Sequence, residues 1–521
     1  MNLALLSLTH KILHFLMFKF LTLCTFYLVL SITSCTASVP PTKQTAYPKR
    51  EFRGAWIQCV NGQYLGKSPA EIRQMLSSQL DVLADAGINA IMFQVRAEGD
   101  ALYKSNYEPW SRYLTGQQGV APSDGWDPLA WMIDQCHQRN MECHAWINPY
   151  RAKTKGTTQL AYQHAANRYK ERIFEYDGLF IFNPAMAENR HYTCMIVEDI
   201  LRRYDVDGLH MDDYFYPYPV AGVPIPDQVY FDADPRGFRN IADWRRDNVN
   251  LLIQQLHSLI RNLKPWVKFG ISPFGIYRNN TDTSVSTPYG SATAGLQNYN
   301  DLYADVLLWV DKGWIDYTIP QIYWNIGTKV ADYDVLVRWW NDYAAARPVF
   351  VGQDVERTVK GADPHHPDRH QMQAKYDLQR SMPNIQGSCL WYAAAVVANP
   401  GNYTSLLRSR YHRYPALQPL MPFIDKKAPK RAKGTDISIV GGKPVLTWKA
   451  PKAKTALDRA ISYVIYDFPD KRSINLNSPS NILGITRSTS FVLPPGLEGH
   501  TLIITALDRL QNESKGVKVK L

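Results

Sequence analysis

The chain has 521 residues, more than one ordinary domain holds, and its 45% hydrophobic and 20% charged residues are the balance of a globular protein. Its 31 Tyr and 14 Trp are side chains of the kind that stack on sugar faces. The net charge of +11 is scattered rather than gathered into a patch, which argues against a nucleic-acid footprint and leaves a mild bias toward anionic surroundings.

Phe20 to Ile32 is an apolar run preceded by Lys19, long enough for the core of a signal peptide and too short to span a bilayer. Met17-Phe18-Lys19 is a more usual start for such a signal than residues 1–16. Ile32-Thr33-Ser34-Cys35 resembles a bacterial lipobox, which implies cleavage before Cys35 and acylation of that cysteine. Residues 1–35 are therefore read as a lipoprotein signal peptide and 36–50 as a polar tether, with the membrane as partner through Cys35. Thr36 is not acidic and no acidic run follows, so the expected place is the cell envelope, on the outer membrane facing the periplasm. The remaining cysteines, Cys59, Cys136, Cys143, Cys194 and Cys389, show neither a disulfide framework nor a zinc spacing.

From Glu51 strand and helix patterns alternate. Strands are expected at Gly54–Val60, Asn89–Arg96, Glu142–Asn148, 207–213, Val267–Ser272, Tyr317–Tyr323, Pro348–Gly352 and Gly387–Tyr392. The helix 68–86 between the first two has Ser68 as N-cap, Pro69 in the first turn and Gly87 beyond its end. Eight such units over 51–420 predict an α/β (β/α)8 TIM barrel, with long loops at 97–125, 150–188 and 216–242.

Active sites of such barrels collect at the C-terminal strand ends. The centre of the pattern is Asp207-Gly208-Leu209-His210-Met211-Asp212-Asp213, where alternation puts His210 and Asp212 on one face and Leu209 and Met211 on the other. Other strand ends carry Gln94 and Arg96; His144, Trp146, Asn148 and Arg151; Gln321, Tyr323 and Trp324; and Trp391. Aromatic faces mixed with amides and acids suit a sugar cleft, since sugars offer C–H faces and paired hydroxyls.

Phe52-Arg53-Gly54-Ala55-Trp56, Asn89 to Arg96, Gly99 to Tyr103, His144 to Arg151, Asp207 to Pro217, Ile271 to Gly275 and Pro320 to Trp324 together resemble the family-10-like glycosyl hydrolases. The resemblance covers roughly 50–420. It implies a barrel, often borne by a bacterial lipoprotein, that hydrolyses a glycan with the acids of the fourth strand. Peptidoglycan strands stripped of peptides are the substrate it suggests.

Glycoside hydrolysis needs a proton donor and a second carboxylate as nucleophile or base. Asp212 is the first choice as catalytic acid or base, with Asp213 as its partner or a sugar ligand. Glu98, Asp100, Asp354 and Glu356 are candidates for a further acid. If the sugar carries N-acetyl groups, its amide can replace the nucleophile. Gln94, Arg96, His144, Asn148, Arg151, His210, Gln321, Tyr323, Trp324 and Trp391 are expected to bind substrate. No cofactor is expected. A metal-dependent deacetylase using His210, Asp212 and His144 lacks a recognised ligand spacing. The competing class is a glycan-binding lipoprotein that uses the same cleft without catalysis.

After a Pro- and Lys-containing linker at 415–429, short β runs at 437–440, 444–448, 462–467, 490–493 and 500–506 predict a small all-β sandwich over 430–521. Trp448, the Tyr463/Ile465 strand and Thr505 to Arg509 resemble a fibronectin type III module, which implies a spacer or docking unit.

Overall fold

The first strand of the barrel has no solvent face, and parallel strands covered by helices read this way as continuous buried runs. The computed structural model describes residues 47–343, 347–469 and 474–519; the expected signal peptide, Cys24, Cys35 and most of the expected tether lie outside them. In chain order come β1 (Phe52–Ile57), β2 (Ala90–Arg96) and β3 (Glu142–Ile147). Three short strands follow, β4 (Arg151–Lys153), β5 (Ile173–Tyr176) and β6 (Leu179–Phe182). Then come β7 (Gly208–Met211), β8 (Lys268–Ile271), β9 (Tyr317–Thr318), β10 (Val349–Asp354) and β11 (Ile385–Trp391). The closed order is β1-β11-β10-β9-β8-β7-β3-β2, with parallel neighbours throughout.

Local chemistry explains the helix starts. Ser68 and Glu71 form a capping box ahead of the helix Pro69–Asp85, and Gly87 leaves it at φ +77°. Asp127 caps the helix Pro128–Gln138 by accepting from the Ala130 amide.

Two expectations change. The strand expected over Tyr317–Tyr323 stops at Thr318, because Pro320 has no amide to give a ladder. The loop 150–188 is partly a sheet: β4, β6 and β5 pair antiparallel in that order at the rim.

The C-terminal region has two antiparallel sheets. One is β12 (Lys433–Val440), β13 (Lys443–Lys449) and β16 (Ser490–Val492). The other is β15 (Ile482–Thr486), β14 (Ser462–Phe468), β17 (Thr501–Leu507) and β18 (Val517–Val519). Leu446 and Trp448 of the first pack with Tyr463, Ile465, Leu502 and Ile504 of the second. The region is packed on the barrel rather than held away from it. Arg509 pairs with Asp205 at 2.7 Å, Arg487 reaches Asp207 at 3.5 Å, and Asn140 donates to the Ile485 carbonyl at 2.7 Å. Leu510 is buried in a cluster with barrel residues Phe52, Met92 and Tyr317. Asp207 precedes β7, so the docking lies at the N-terminal end of the strands, away from the expected site.

Cys59, Cys136, Cys143 and Cys389 are buried, Cys194 is half-buried, and all are free thiols.

Candidate active site

β7 ends at Met211 and delivers Asp212 and Asp213 to the C-terminal rim. There a cleft of about 290 Å³ opens. Trp56, Trp146, Trp391 and Tyr323 form an aromatic box around it. Trp391 stands 6.2 Å from Trp56, 6.3 Å from Trp146 and 6.3 Å from Tyr323, centroid to centroid. The Trp56 indole donates to His210 Nε2 at 3.1 Å, which places the imidazole under the box.

The two acids have unlike surroundings. Asp212 Oδ2 accepts from Asn148 Nδ2 at 2.5 Å and from Trp146 Nε1 at 3.3 Å. Burial pushes its carboxyl up, and Arg151 with these donors pulls it back in part. The Asn148 carboxamide is itself aimed: its oxygen accepts from Gln94 Nε2 at 2.9 Å, and Gln94 Oε1 accepts from the Cys59 amide at 3.0 Å. Asp213 accepts from the Tyr218 hydroxyl and from Gln321 Nε2 at 3.2 Å. Burial first, and the neighbouring charge of Asp212 second, push its carboxyl up to about 7. Asp213 is thus a group that holds a proton near neutrality.

Of the residues expected from the sequence, Gln94, Arg151, Asp212, Gln321, Tyr323 and Trp391 line the cleft. Asn148, His210 and Asp213 stand behind it, each bonded to a lining side chain. Three do not reach it. Arg96 turns away to a buried pair with Glu108 at 2.7 Å and to the Asn148 carbonyl. The β2–β3 register shifts between Gln94 and Arg96, so the alternation that put both on one face is broken there. His144 lies deeper in the barrel, bonded to Tyr317 at 2.8 Å and Glu142 at 3.0 Å. Trp324 packs its ring against Phe274, 5.3 Å away.

The candidate second acids are also elsewhere. Glu98 is held by Thr154, Thr157 and Arg112; burial alone would raise it, but these bonds win and keep its carboxyl below the usual range. Asp100 accepts from Gln118. Asp354 caps the helix Val355–Lys360, and Glu356 accepts from Tyr392. Among the described residues Asp212 is the acid that lines the cleft, and Asp213 joins it through Gln321. No group of three or more His, Cys, Asp and Glu among the described residues is placed to hold a metal.

Sequence reading did not count Trp56, Val60, Asn61, Tyr214 and Ser272 among the substrate-binding residues, and it set Trp146 at a strand end without giving it that role. Alternation puts Trp146 on the face of His144 and Asn148, between them, which is the signal that marks it as lining.

A family model described as glycosyl hydrolase-like 10 matches residues 51–365. The chain is 37% identical to glycosyl hydrolase YngK of Bacillus subtilis over 488 residues, 92% of this chain and 94% of that one. It is 33% identical to glycosyl hydrolase DigH of Escherichia coli over 398 residues, 69% of this chain and 87% of that one. The glycoside hydrolase domain of PgaB (BpsB) from Bordetella bronchiseptica superposes at a TM-score of 0.43 and 11% identity, over 70% of this chain and 99% of that one. By family model and by relatives alike, the chain belongs to the glycosyl hydrolase-like 10 family.

Proposed function

We propose that the chain is a lipid-anchored glycoside hydrolase of the cell envelope that cleaves a 2-acetamido glycan, with peptide-free peptidoglycan strands as its substrate. The observation that supports it best is the pair of adjacent carboxylates with unlike surroundings at the rim of an aromatic box. Asp213, which holds a proton near neutrality, is the general acid that protonates the leaving glycosidic oxygen. Sequence reasoning favoured Asp212 as the acid or base; its two N–H donors and Arg151 oppose the upward push of burial and suit it instead to orient the substrate amide.

Adjacent residues on one strand end approach a sugar from one side, so they do not flank a scissile bond as a pair of opposed carboxylates does. The substrate amide oxygen takes the nucleophile's part: it attacks the anomeric carbon, the glycosidic C–O bond breaks, and Asp213 gives its proton to the departing oxygen. Asp212 orients the amide N–H and offsets the positive charge of the cyclic intermediate, which water then opens. The aromatic box suits the N-acetyl methyl group and the sugar's C–H faces.

The test is incubation of the purified soluble form with peptide-free and peptide-bearing peptidoglycan strands, read by mass spectrometry. Shortened products from the peptide-free strands are expected. A folded protein that binds the strands and leaves them intact would instead be a glycan-binding scaffold. The anchor is tested separately: Cys35→Ala should move the protein from the membrane fraction to the soluble one, and unchanged partition would refute lipidation.

A further inference from the structure

A second cavity of about 280 Å³ adjoins the cleft. One wall is the rim sheet of β4, β6 and β5; the other is the turn 214–220. The two cavities share two side chains, Arg151 and Tyr214. The Arg151 guanidinium sits 5.0 Å from the Tyr214 ring centroid, so the pair forms one partition between two chambers. Tyr214 stacks on Tyr218 at 5.3 Å and 22°, which extends an aromatic face from the partition into the second chamber. Leu179, Ile181 and Pro217 make the remaining wall apolar. Lys155 also lines this chamber, paired with Asp177 at 2.5 Å. An aromatic and apolar surface with a few polar groups is the lining a sugar ring takes.

Asp213 lies behind both chambers and is bonded to a side chain of each. Gln321, which lines the first, and Tyr218, which lines the second, both donate to its carboxyl. A proton donor bonded to one lining side chain of each chamber lies close behind the place where a bond spanning the two would run.

We propose that the second chamber holds the sugar on the leaving-group side of the cleaved bond, so that Arg151 and Tyr214 mark the point of cutting. The inference rests on the glycosidase reading above. It also accounts for the size of the loop after β3, since β5 and β6 are the part of that loop that builds the chamber.

Leu179→Trp fills the chamber from the rim sheet, and Val220→Trp fills it from the opposite wall; both positions are half-buried and neither lines the first cleft. Expected for each folded variant is a fall of about tenfold in kcat/KM on peptide-free glycan strands, carried by KM. Binding of N-acetylglucosamine alone, measured by calorimetry, should be unchanged, because one sugar occupies the first chamber only. A thermal melt shows whether each variant is folded, and the one that folds carries the test. Wild-type kcat/KM in the folded variants overturns this inference and leaves the glycosidase reading standing. A wild-type protein that binds N-acetylglucosamine but cleaves no strand overturns the reading and this inference together.

Discussion

Trp56 donates its indole N–H to His210 Nε2 at 3.1 Å, and this one bond sets the direction of a hydrogen-bond chain through the barrel. With Nε2 accepting, the His210 proton lies on Nδ1 and is given to the Tyr317 hydroxyl at 3.3 Å. Tyr317 then donates to His144 Nδ1 at 2.8 Å, and His144 Nε2 donates to Glu142, which Lys268 also holds at 2.6 Å. His210, also pushed well below its ordinary range by burial and then by His144, is a neutral support and not a proton donor to substrate. Tyr317→Phe keeps the ring but leaves two buried imidazole nitrogens unpaired. It should lower stability by about 1–3 kcal/mol in a denaturant melt while turnover per folded molecule stays near normal.

The two acids separate by leaving group. Asp213→Asn removes the proton donor, so turnover of glycan strands should fall about 100- to 10,000-fold. An aryl N-acetylglucosaminide, whose phenolate leaves without a proton, should lose far less. Asp212→Asn should slow both substrates alike, because the cyclic intermediate is needed for either. Equal losses in the Asp213 variant on the two substrates would show that the roles are exchanged.

Asp213 also fixes a pH dependence. Its carboxyl titrates at about 7 in the folded chain and near 3.9 when unfolded, so between those values the folded state binds more protons. Stability therefore falls as pH rises through that window, by up to ~4 kcal/mol, and Asp213→Asn should gain on wild type from pH 4 to pH 8. Turnover should decline on the alkaline side of about 7 as the donor loses its proton, the apparent value belonging to the Asp212–Asp213 pair. A melt series and a rate profile over the same buffers test both.

Removing residues 430–521 should destabilise the barrel. Asp207 is buried and held well below the carboxylate range; burial opposes this, while Arg487, His137 and Arg509 bring it about. Deletion strips two of those cations from a buried charge and bares the cluster around Phe52 that Leu510 covers. A truncated protein whose melting temperature matches the full chain would refute this.

The barrel was legible because each strand is a short apolar run between a helix end and a rim motif, and because caps such as Ser68 and Asp127 mark the helix starts. The positions of Asp212 and Gln94 followed from alternation alone. Depth did not: alternation gives the inward face but not the layer, so His144 could not be told from Trp146 above it. A bulge also leaves no mark in the sequence, which is why Arg96 was placed in the cleft. The docking of the C-terminal sheets rests on Arg487, Arg509 and Leu510, isolated residues in a segment otherwise patterned like a free-standing module.

The aromatic box has an optical consequence. Three of the chain's 14 tryptophans, Trp56, Trp146 and Trp391, line the cleft. Indole emission shifts to the blue when water leaves the ring; Trp56 and Trp146 are already buried, so a seated sugar displaces water chiefly from the half-buried Trp391. The protein therefore carries its own fluorescent gauge of occupancy, readable by titration without labelling either partner.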